Sequence, residues 1–277
     1  MGELIVAAVP LGNISDASDR LKSAIQNAEL IAAEDSRRFL RLCKDLNIEP
    51  RAGIISFFEG NETERLAELK NNLEQNSTVL LVTDAGMPTI SDPGYRAIRM
   101  AIDSGFDVKV LPGPSAVTMA LALSGLATDR FCFEGFPPRS DIARDSYLDE
   151  LKSEKRTMVF FESPHRVGNF VSAAVEAFGP RRMGAICREM TKTYEETIRG
   201  SLAELLKWTQ SKEMLGEFTI VIAGFNPAEI THSDVEIAAL VKKYEQAGMT
   251  RKESISLVAK ELKISKRTVF DIMIEHK

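Results

Sequence analysis

The sequence predicts an α/β protein. Its first α/β domain has a mostly parallel sheet and its second a mixed sheet, with a ligand cleft between them, and a small helical C-terminal domain follows. Three observations carry this expectation. Apolar runs of strand length alternate with amphipathic helical patterns up to about Phe131, as in parallel sheets with crossover helices. Beyond Phe131 the apolar runs crowd together, and those around Arg188 and Glu196 lie only a few residues apart, too close for a parallel crossover. After Gly224, three short helical patterns follow one another with no strand between them.

In chain order, Leu4 to Val9 is a buried strand bounded by Pro10 and Gly12. Leu21, Ile25 and Ala28 share one helical face, with Asn13 and Ser15 as candidate caps. Ile31 to Ala33 and Val79 to Val82 are strands. Pro93 is placed just inside a helix running toward Ser104 and Gly105, where proline costs least. Val108 to Leu111 is a strand, followed by Pro112-Gly113-Pro114 and a helix from near Ser115. Further strands are expected over Arg130 to Phe136, Met158 to Phe161, Gly184 to Arg188, Glu195 to Ser201 and Glu217 to Ala223. Phe225 to Asp234 has linker composition. Helices are expected over Val235 to Gln246, Arg251 to Leu262 and Ser265 to Ile274, the last capped by Ser265. The expected domains are residues 1–114, 115–225 and 226–277.

Of the 277 residues, 44% are apolar and 27% charged, an ordinary globular balance. A net charge of −5 argues against a protein that merely coats nucleic acid, so any RNA contact must be local. From Leu240 to Lys277, nine Lys/Arg stand against five Asp/Glu, a net +4 that leaves −9 on the rest. Cys43, Cys132 and Cys187 form no disulfide framework, and with His165, His232 and His276 they show no metal-ligand spacing, so no metal is expected. The segment MGELIVAAVPLG lacks a basic n-region and a cleavage signal, and Ala116 to Ala127 is too short to span a bilayer. A cytoplasmic protein without a membrane partner is expected.

The chain has no G-x-G-x-x-G after its first strand and no G-x-x-x-x-G-K-[ST], which argues against dinucleotide-binding and P-loop enzymes. Three loops at strand ends stand out instead: Val9 to Asn13, Thr83 to Tyr95 and Leu111 to Ala116. Strand ends are where open α/β sheets hold ligands, and the third loop also points a helix N-terminus at any bound carboxylate. Each loop alone could be a plain turn. The second is long and rich in special residues beyond what turning requires.

The stretches VPLGNISD, AAEDSRR, VTDAGMPTISDPGYR, VLPGPSAVTMALALSGL, FCFEGFPPR, TMVFFESPHRV, REMTKTYEE and GEFTIVIAG occur in this order. Together they resemble the tetrapyrrole methylase family of S-adenosylmethionine-dependent methyltransferases, from about Leu4 to Gly224. The EDSRR, ESPHR and REMTK blocks are similar to the branch that acts on ribosomal RNA rather than on cobalamin or siroheme precursors. The resemblance implies two α/β domains with the methyl donor folded in a deep cleft between them. It also implies a homodimer, and an acceptor that is the ribose 2′-oxygen of a P-site cytidine in 16S rRNA, offered as rRNA or as small ribosomal subunit. Implied donor contacts are Pro10, Asp84, Met87, Ser115, Ala116 and Phe161. Asp84 and Ser115 also have plain structural readings, as a turn cap and a helix N-cap.

Polar residues that follow buried strands are the candidates for acceptor work. Glu34, Asp35, Glu189 and Lys192 could supply a proton acceptor or a cation for a weakly nucleophilic hydroxyl, and the sequence does not choose among them. Arg37, Arg38, Arg166 and Arg188 suit phosphate recognition and are expected around one cleft. Glu162 and Arg166 could equally form an ion pair, and His165 could simply hold a loop. Two other functions stay open: methylation of a small tetrapyrrole, and a non-catalytic, donor-sensing nucleic-acid binder whose tail acts as a helix-turn-helix.

Overall fold

Apolar residues alternate between two covered faces along the first strands, and this alternation builds the first sheet. In the computed structural model, which describes residues 2–226, 234–262 and 265–275, five strands pair in parallel. They are β1 (Glu3–Ala7), β2 (Leu30–Ala33), β3 (Gly53–Ser56), β4 (Thr78–Val82) and β5 (Asp107–Leu111), in the order β3-β2-β4-β1-β5. Ile31, Ala33, Leu80 and Val82 pack with Leu21 and Ile25 of α1 (Asp19–Asn27) and with Phe39 and Cys43 of α2 (Ser36–Asp45). Their neighbours Leu30, Ala32, Val79 and Leu81 pack on the other side, with Leu69 and Leu73 of α3 (Glu62–Glu74) and Ala97 and Ala101 of α4 (Tyr95–Asp103). Coverage on both faces is why β4 is apolar throughout Val79 to Val82. β1 and β4 are neighbours whose connections leave in opposite directions, β1 toward β2 and β4 toward β5. Such a reversal opens a crevice at the strand ends.

The second sheet has the order β6-β7-β10-β8-β9, from β6 (Phe131–Gly135), β7 (Thr157–Glu162), β8 (Met183–Arg188), β9 (Glu196–Ser201) and β10 (Phe218–Ile222). The β6–β7 pair is parallel and the other pairs are antiparallel. Val117, Ala120 and Leu121 of α5 (Ala116–Ser124) cover Val159, Cys187 and Val221 on one face. The other face is covered by α6 (Asp141–Glu150), α7 (Val167–Phe178) and α8 (Leu202–Gln210). The architecture is the expected parallel-plus-mixed α/β arrangement, and both sheets belong to one compact unit that ends at Gly224.

Several local expectations are corrected. Ser18, not Asn13 or Ser15, caps α1 by accepting the Leu21 amide, while Asn13 caps a separate short 3-10 turn over Ile14–Asp16. Pro93 lies just outside α4, whose N-cap is Gly94 at φ 127°. β3 and α3 carry weak apolar patterns and were not anticipated.

The remaining residues form a second unit, Phe225–Lys277, whose described part is three helices. These are α9 (Asp234–Gln246), α10 (Arg251–Glu261) and α11 (Lys266–Glu275), packed around Val241, Val258, Val269 and Met273. Thr250 and Glu253 form a capping box on α10, and Ser265 accepts the Thr268 amide at the start of α11. Counted over residues 225–277 the charge is nine basic against eight acidic, +1, because Glu229, Asp234 and Glu236 offset the excess seen from Leu240 onward. Most of the linker expected over Phe225 to Asp234, together with His232 and His276, lies outside the described residues. Among the described residues no helix is long and apolar enough to cross a membrane.

Candidate active site: an acid-lined cleft

The loops that leave β1, β2, β4 and β5 converge on one cavity of about 430 Å³, and the second sheet supplies the opposite wall. Leu11 follows β1, Glu34 follows β2, Asp84 to Met87 and Ile90 to Asp92 follow β4, and Ser115 and Ala116 follow β5. Facing them are Phe136, Phe161 to Pro164 and Gly216 to Thr219. Phe161 meets Phe133 and Phe136 edge-on at 4.8 and 5.6 Å between ring centroids, giving this wall a stiff aromatic surface.

Backbone contacts hold the loops together. Val9 and Gly86 exchange amide–carbonyl hydrogen bonds of 2.9 and 3.1 Å, which fastens the first loop to the second. Gly86 sits at φ 75°, where a β-carbon would also press on Leu11 at 3.2 Å. At Gly113 a β-carbon would come within 2.9 Å of Ala8, so glycine lets the third loop lie against the end of β1. In the second loop, Thr89 and Ser91 adopt φ of 77° and 64°, a costly conformation for residues with side chains. Two features hold them there. The Thr89 amide donates to the Pro93 carbonyl at 3.2 Å. Glu62, buried at 7% exposure, accepts the Gly94 and Arg96 amides at 3.2 and 3.3 Å and so caps α4 from outside.

Three carboxylates gather at the floor of the cleft. Glu34 accepts the Asp84 amide at 3.0 Å, Asp84 accepts the Asp35 amide at 3.1 Å, and Arg38 pairs with Asp84 at 3.0 Å. Burial pushes Glu34 and Asp84 above the usual carboxylate range; the Asp84 charge adds to the rise of Glu34, and Arg38 restrains that of Asp84. Burial, with Glu34 and Asp84 close by, pushes the Asp92 carboxyl up to about 7. Among the described residues no group of three His, Cys, Asp or Glu side chains is arranged to hold a metal ion.

Of the residues singled out for donor contact, Asp84, Met87, Ser115, Ala116 and Phe161 line this cavity, and Pro10 does not. Ser115 stands at the N-cap position of α5, yet its side chain makes no capping hydrogen bond, so its hydroxyl is not committed to the helix. Asp84 ties the end of β4 to β2 instead of capping its own turn.

The acceptor candidates separate. Glu34 lines the cleft. Asp35 instead caps α2 through the Arg37 amide at 2.8 Å, and its hydrogen bonds from Arg37 hold it far below the usual carboxylate range. Glu189 and Lys192 pair at 3.0 Å outside the lining residues, with the Lys192 stem beside Gly12 of the first loop, and Lys192 also reaches Glu217 at 3.0 Å. Burial works to raise Glu189, but Lys192 and the Glu217 amide outweigh it and leave the group lowered; for Lys192, burial works to lower it, but the Glu189 and Glu217 carboxylates outweigh it and leave the group raised. Of the four arginines, Arg38 alone is among the cleft-lining residues. Arg37 pairs with Asp35 and is 88% exposed. Arg166 binds the buried Glu162 at 2.6 Å. Arg188 donates to the Leu215 carbonyl at 2.6 Å and pairs with Glu196 at 3.6 Å, which supports the stretch leading into Gly216. The expected ring of four guanidinium groups around the cleft does not form. Asp92, in VTDAGMPTISDPGYR, and Phe136, in FCFEGFPPR, are cleft residues that the sequence does not single out; their position against the cleft depends on loop geometry that no residue pattern encodes.

Comparison with known proteins fits this geometry. The model of the family Tetrapyrrole (Corrin/Porphyrin) Methylases matches residues 3–206. The chain is 47% identical over 259 residues to the Ribosomal RNA small subunit methyltransferase I of Mycobacterium tuberculosis strain H37Rv, covering 93% of this chain and 89% of that one. Against the protein of the same name from Halalkalibacterium halodurans it is 37% identical over 275 residues, covering 98% and 94%. A solved uroporphyrin-III C-methyltransferase from Thermus thermophilus, complexed with S-adenosylhomocysteine, shares the fold. Its TM-score is 0.55 at 16% identity, over 80% of this chain and 97% of that one. With matches over most of its length and a cleft at the reversal point of its parallel sheet, the chain belongs to the tetrapyrrole methylase family of S-adenosylmethionine-dependent methyltransferases, alongside the ribosomal RNA small subunit methyltransferase I proteins.

Proposed function

We propose that this protein transfers the methyl group of S-adenosylmethionine to the ribose 2′-oxygen of a P-site cytidine in 16S rRNA, as a cytoplasmic homodimer. The observation that carries the reading is the convergence of Asp84, Met87, Ser115, Ala116 and Phe161 on one cleft, in a chain 47% identical to a protein named for ribosomal RNA methylation. The cleft suits a cationic ligand, since Glu34, Asp84 and Asp92 line it and Arg38 is the basic side chain among the lining residues. It also suits a folded ligand with an aromatic ring and a carboxylate. Phe161 and Met87 offer apolar contact, and the α5 N-terminus, where Ser115 and Ala116 line the cleft, suits an anion.

The donor supplies a reactive methyl carbon on a sulfonium. The protein's task is to align the hydroxyl and exclude water. The cross-tied first, second and third loops fix one wall, and the Phe133–Phe136–Phe161 group fixes the other. An RNA acceptor is favoured over a tetrapyrrole by the names of the relatives, and the ribose oxygen by the resemblance of the EDSRR, ESPHR and REMTK blocks.

The test is incubation with labelled donor and small ribosomal subunits, naked 16S rRNA or tetrapyrrole precursors. Label is expected in the RNA and, after digestion, in 2′-O-methylcytidine by mass spectrometry. A methyl group on a base or on a tetrapyrrole overturns the reading. Calorimetry should give a micromolar donor Kd, about −8 kcal/mol, unchanged by a chelator.

A further inference from the structure

Every carboxylate that lines the cleft has a partner except one. Glu34 holds the Asp84 amide, Asp84 holds Arg38 and the Asp35 amide, Glu162 holds Arg166, and Glu217 holds Lys192. Asp92 lines the same cavity with no hydrogen bond or ion pair to any described residue. Its segment is nonetheless firmly built: Ser91 before it and Thr89 are held at positive φ, and Glu62 caps the helix that follows. A strained, braced loop that presents a half-buried carboxylate with no protein partner to a cleft is a costly arrangement, and such strain clusters at functional positions.

We propose that Asp92 accepts the proton of the acceptor hydroxyl during methyl transfer, a role that rests on the methyltransferase reading above. As the ribose oxygen attacks the methyl carbon, its O–H bond breaks and the proton passes to the Asp92 carboxylate. The new C–O bond forms as the C–S bond breaks, and the C–S electron pair stays on sulfur. A sulfonium cation and a carboxylate anion become a neutral thioether and a neutral carboxylic acid, so charge balances inside the cleft. Asp92 is better suited than the other acids. Asp35 and Glu189 are held in their ionised forms by Arg37 and Lys192, and Glu34 has one oxygen engaged by the Asp84 amide.

The surroundings of Asp92 tune it for this role. Glu34 at the end of β2 and Asp84 at the end of β4 are the charges that act on it, with Arg38 of α2 already engaged by Asp84. Across the cleft, Glu162 and Glu217 are neutralised by Arg166 and Lys192. Burial and the two neighbouring acids bring its carboxyl up to about 7, where a base can take and release a proton near neutral pH. A sulfonium nearby favours the ionised form, and loss of that charge on transfer favours the protonated form.

The first measurement is donor binding by calorimetry near pH 7, in two buffers of different ionisation enthalpy. The wild-type protein should release a fraction of a proton on binding, and Asp92→Asn should release none and bind donor several-fold more weakly, because the neutral amide no longer attracts the sulfonium. The second is single-turnover methylation of small ribosomal subunits at saturating donor. Asp92→Asn should be at least about 100-fold slower and lose the rise of rate with pH, and Asp92→Glu should recover part of the rate. Asp92→Asn overturns the proposal if it no longer binds donor, releases the same proton fraction as wild type, or methylates within about threefold of the wild-type rate. A wild-type protein that binds donor but methylates no RNA would instead overturn the reading of the acceptor, and this proposal with it.

Discussion

The two sheets bring charge to the same cleft in opposite states. The parallel sheet delivers acids whose charge is penalised: Asp92 is unpaired, and Glu34 and Asp84, though partnered, are pushed upward by burial. The mixed sheet delivers acids that are already matched, Glu162 with Arg166 and Glu217 with Lys192. Topology accounts for the difference. In the parallel sheet the C-terminal ends of β1, β2, β4 and β5 share one edge, so their polar loop residues crowd together. In the antiparallel part, the ends of β7 and β8 meet the start of β10, at Glu162, Arg188 and Phe218, and residues of both signs fall side by side. One wall therefore needs a cationic ligand to complete it, whereas the other is complete without one.

The sharpest way to break this comparison is to unbalance the self-sufficient wall. The Glu162 side chain is 2% exposed, and its ion partner Arg166 is the C-terminal member of an i,i+4 pair. Arg166→Ala would leave a buried carboxylate whose remaining bond is the Ser163 amide at 2.6 Å. Removing one partner of a buried pair costs about 3 kcal/mol or more, and the melting temperature should drop by roughly 8 °C. A melting curve matching the wild type would show that the pair is not what stabilises this wall.

A smaller effect is expected on the needy wall, and on ligand binding rather than on folding. Asp84→Ala removes the acceptor of the Asp35 amide and the partner of Arg38, which together join the β2 and β4 loops. Donor Kd by calorimetry should rise at least tenfold, about 1.4 kcal/mol. Arg188→Ala, on the other wall, should leave donor Kd within about threefold. If the two variants weaken donor binding equally, the division of labour between the walls is wrong.

Asp92 sharpens the comparison through pH. Its carboxyl keeps its proton up to about 7 in the folded chain, against the ordinary aspartate value of 3.8. Between those values the folded state binds more protons than the unfolded one, so this group's contribution to stability falls as pH rises through that window. Asp92→Asn lacks the penalty. It should be more stable than the wild type at pH 8, on the order of 1 kcal/mol after solvent screening in an open cleft, and the gain should vanish near pH 4. Thermal melting of both proteins across this range checks the sign.

These contrasts show what the sequence could convey. Strands with strong apolar runs were legible because burial on both faces of β4 or β7 writes itself into every residue. β3 and α3 were not legible, since β3 has no fully buried residue and α3 carries polar residues over most of its length. The donor loops were visible through glycine and proline, whose backbone roles are local. The fate of the arginines was not: Arg37, Arg38 and Arg166 follow strands, Arg188 ends one, and they look alike in one dimension. Which of them faces the cleft depends on acids many residues away, Asp84 for Arg38 and Glu196 for Arg188. Asp92 was hidden for the converse reason, because having no partner is a property only the folded chain displays.

The smallest expected effect concerns adjacent arginines that the sequence does not tell apart. Arg37 and Arg38 both lie in the first turn of α2, and each contacts an aspartate. Asp35 is itself the helix cap, bound by the Arg37 amide, so loss of the Arg37 side chain leaves the cap in place. The Arg37 side chain is solvent-exposed, and ion pairs at such positions are screened by water and contribute little to stability. Arg37→Ala should therefore change melting by no more than about 2 °C and donor Kd by less than twofold. Arg38 touches the acid cluster directly, and its removal leaves Asp84 beside Glu34 and Asp92 with no cation. Arg38→Ala should raise the carboxyl pKa values of that cluster and shift the pH dependence of donor binding upward, which calorimetry at several pH values would detect. Equal behaviour of the two variants would mean that the acids at the end of the parallel sheet are not coupled through Arg38, and the contrast between the walls would lose its electrostatic basis.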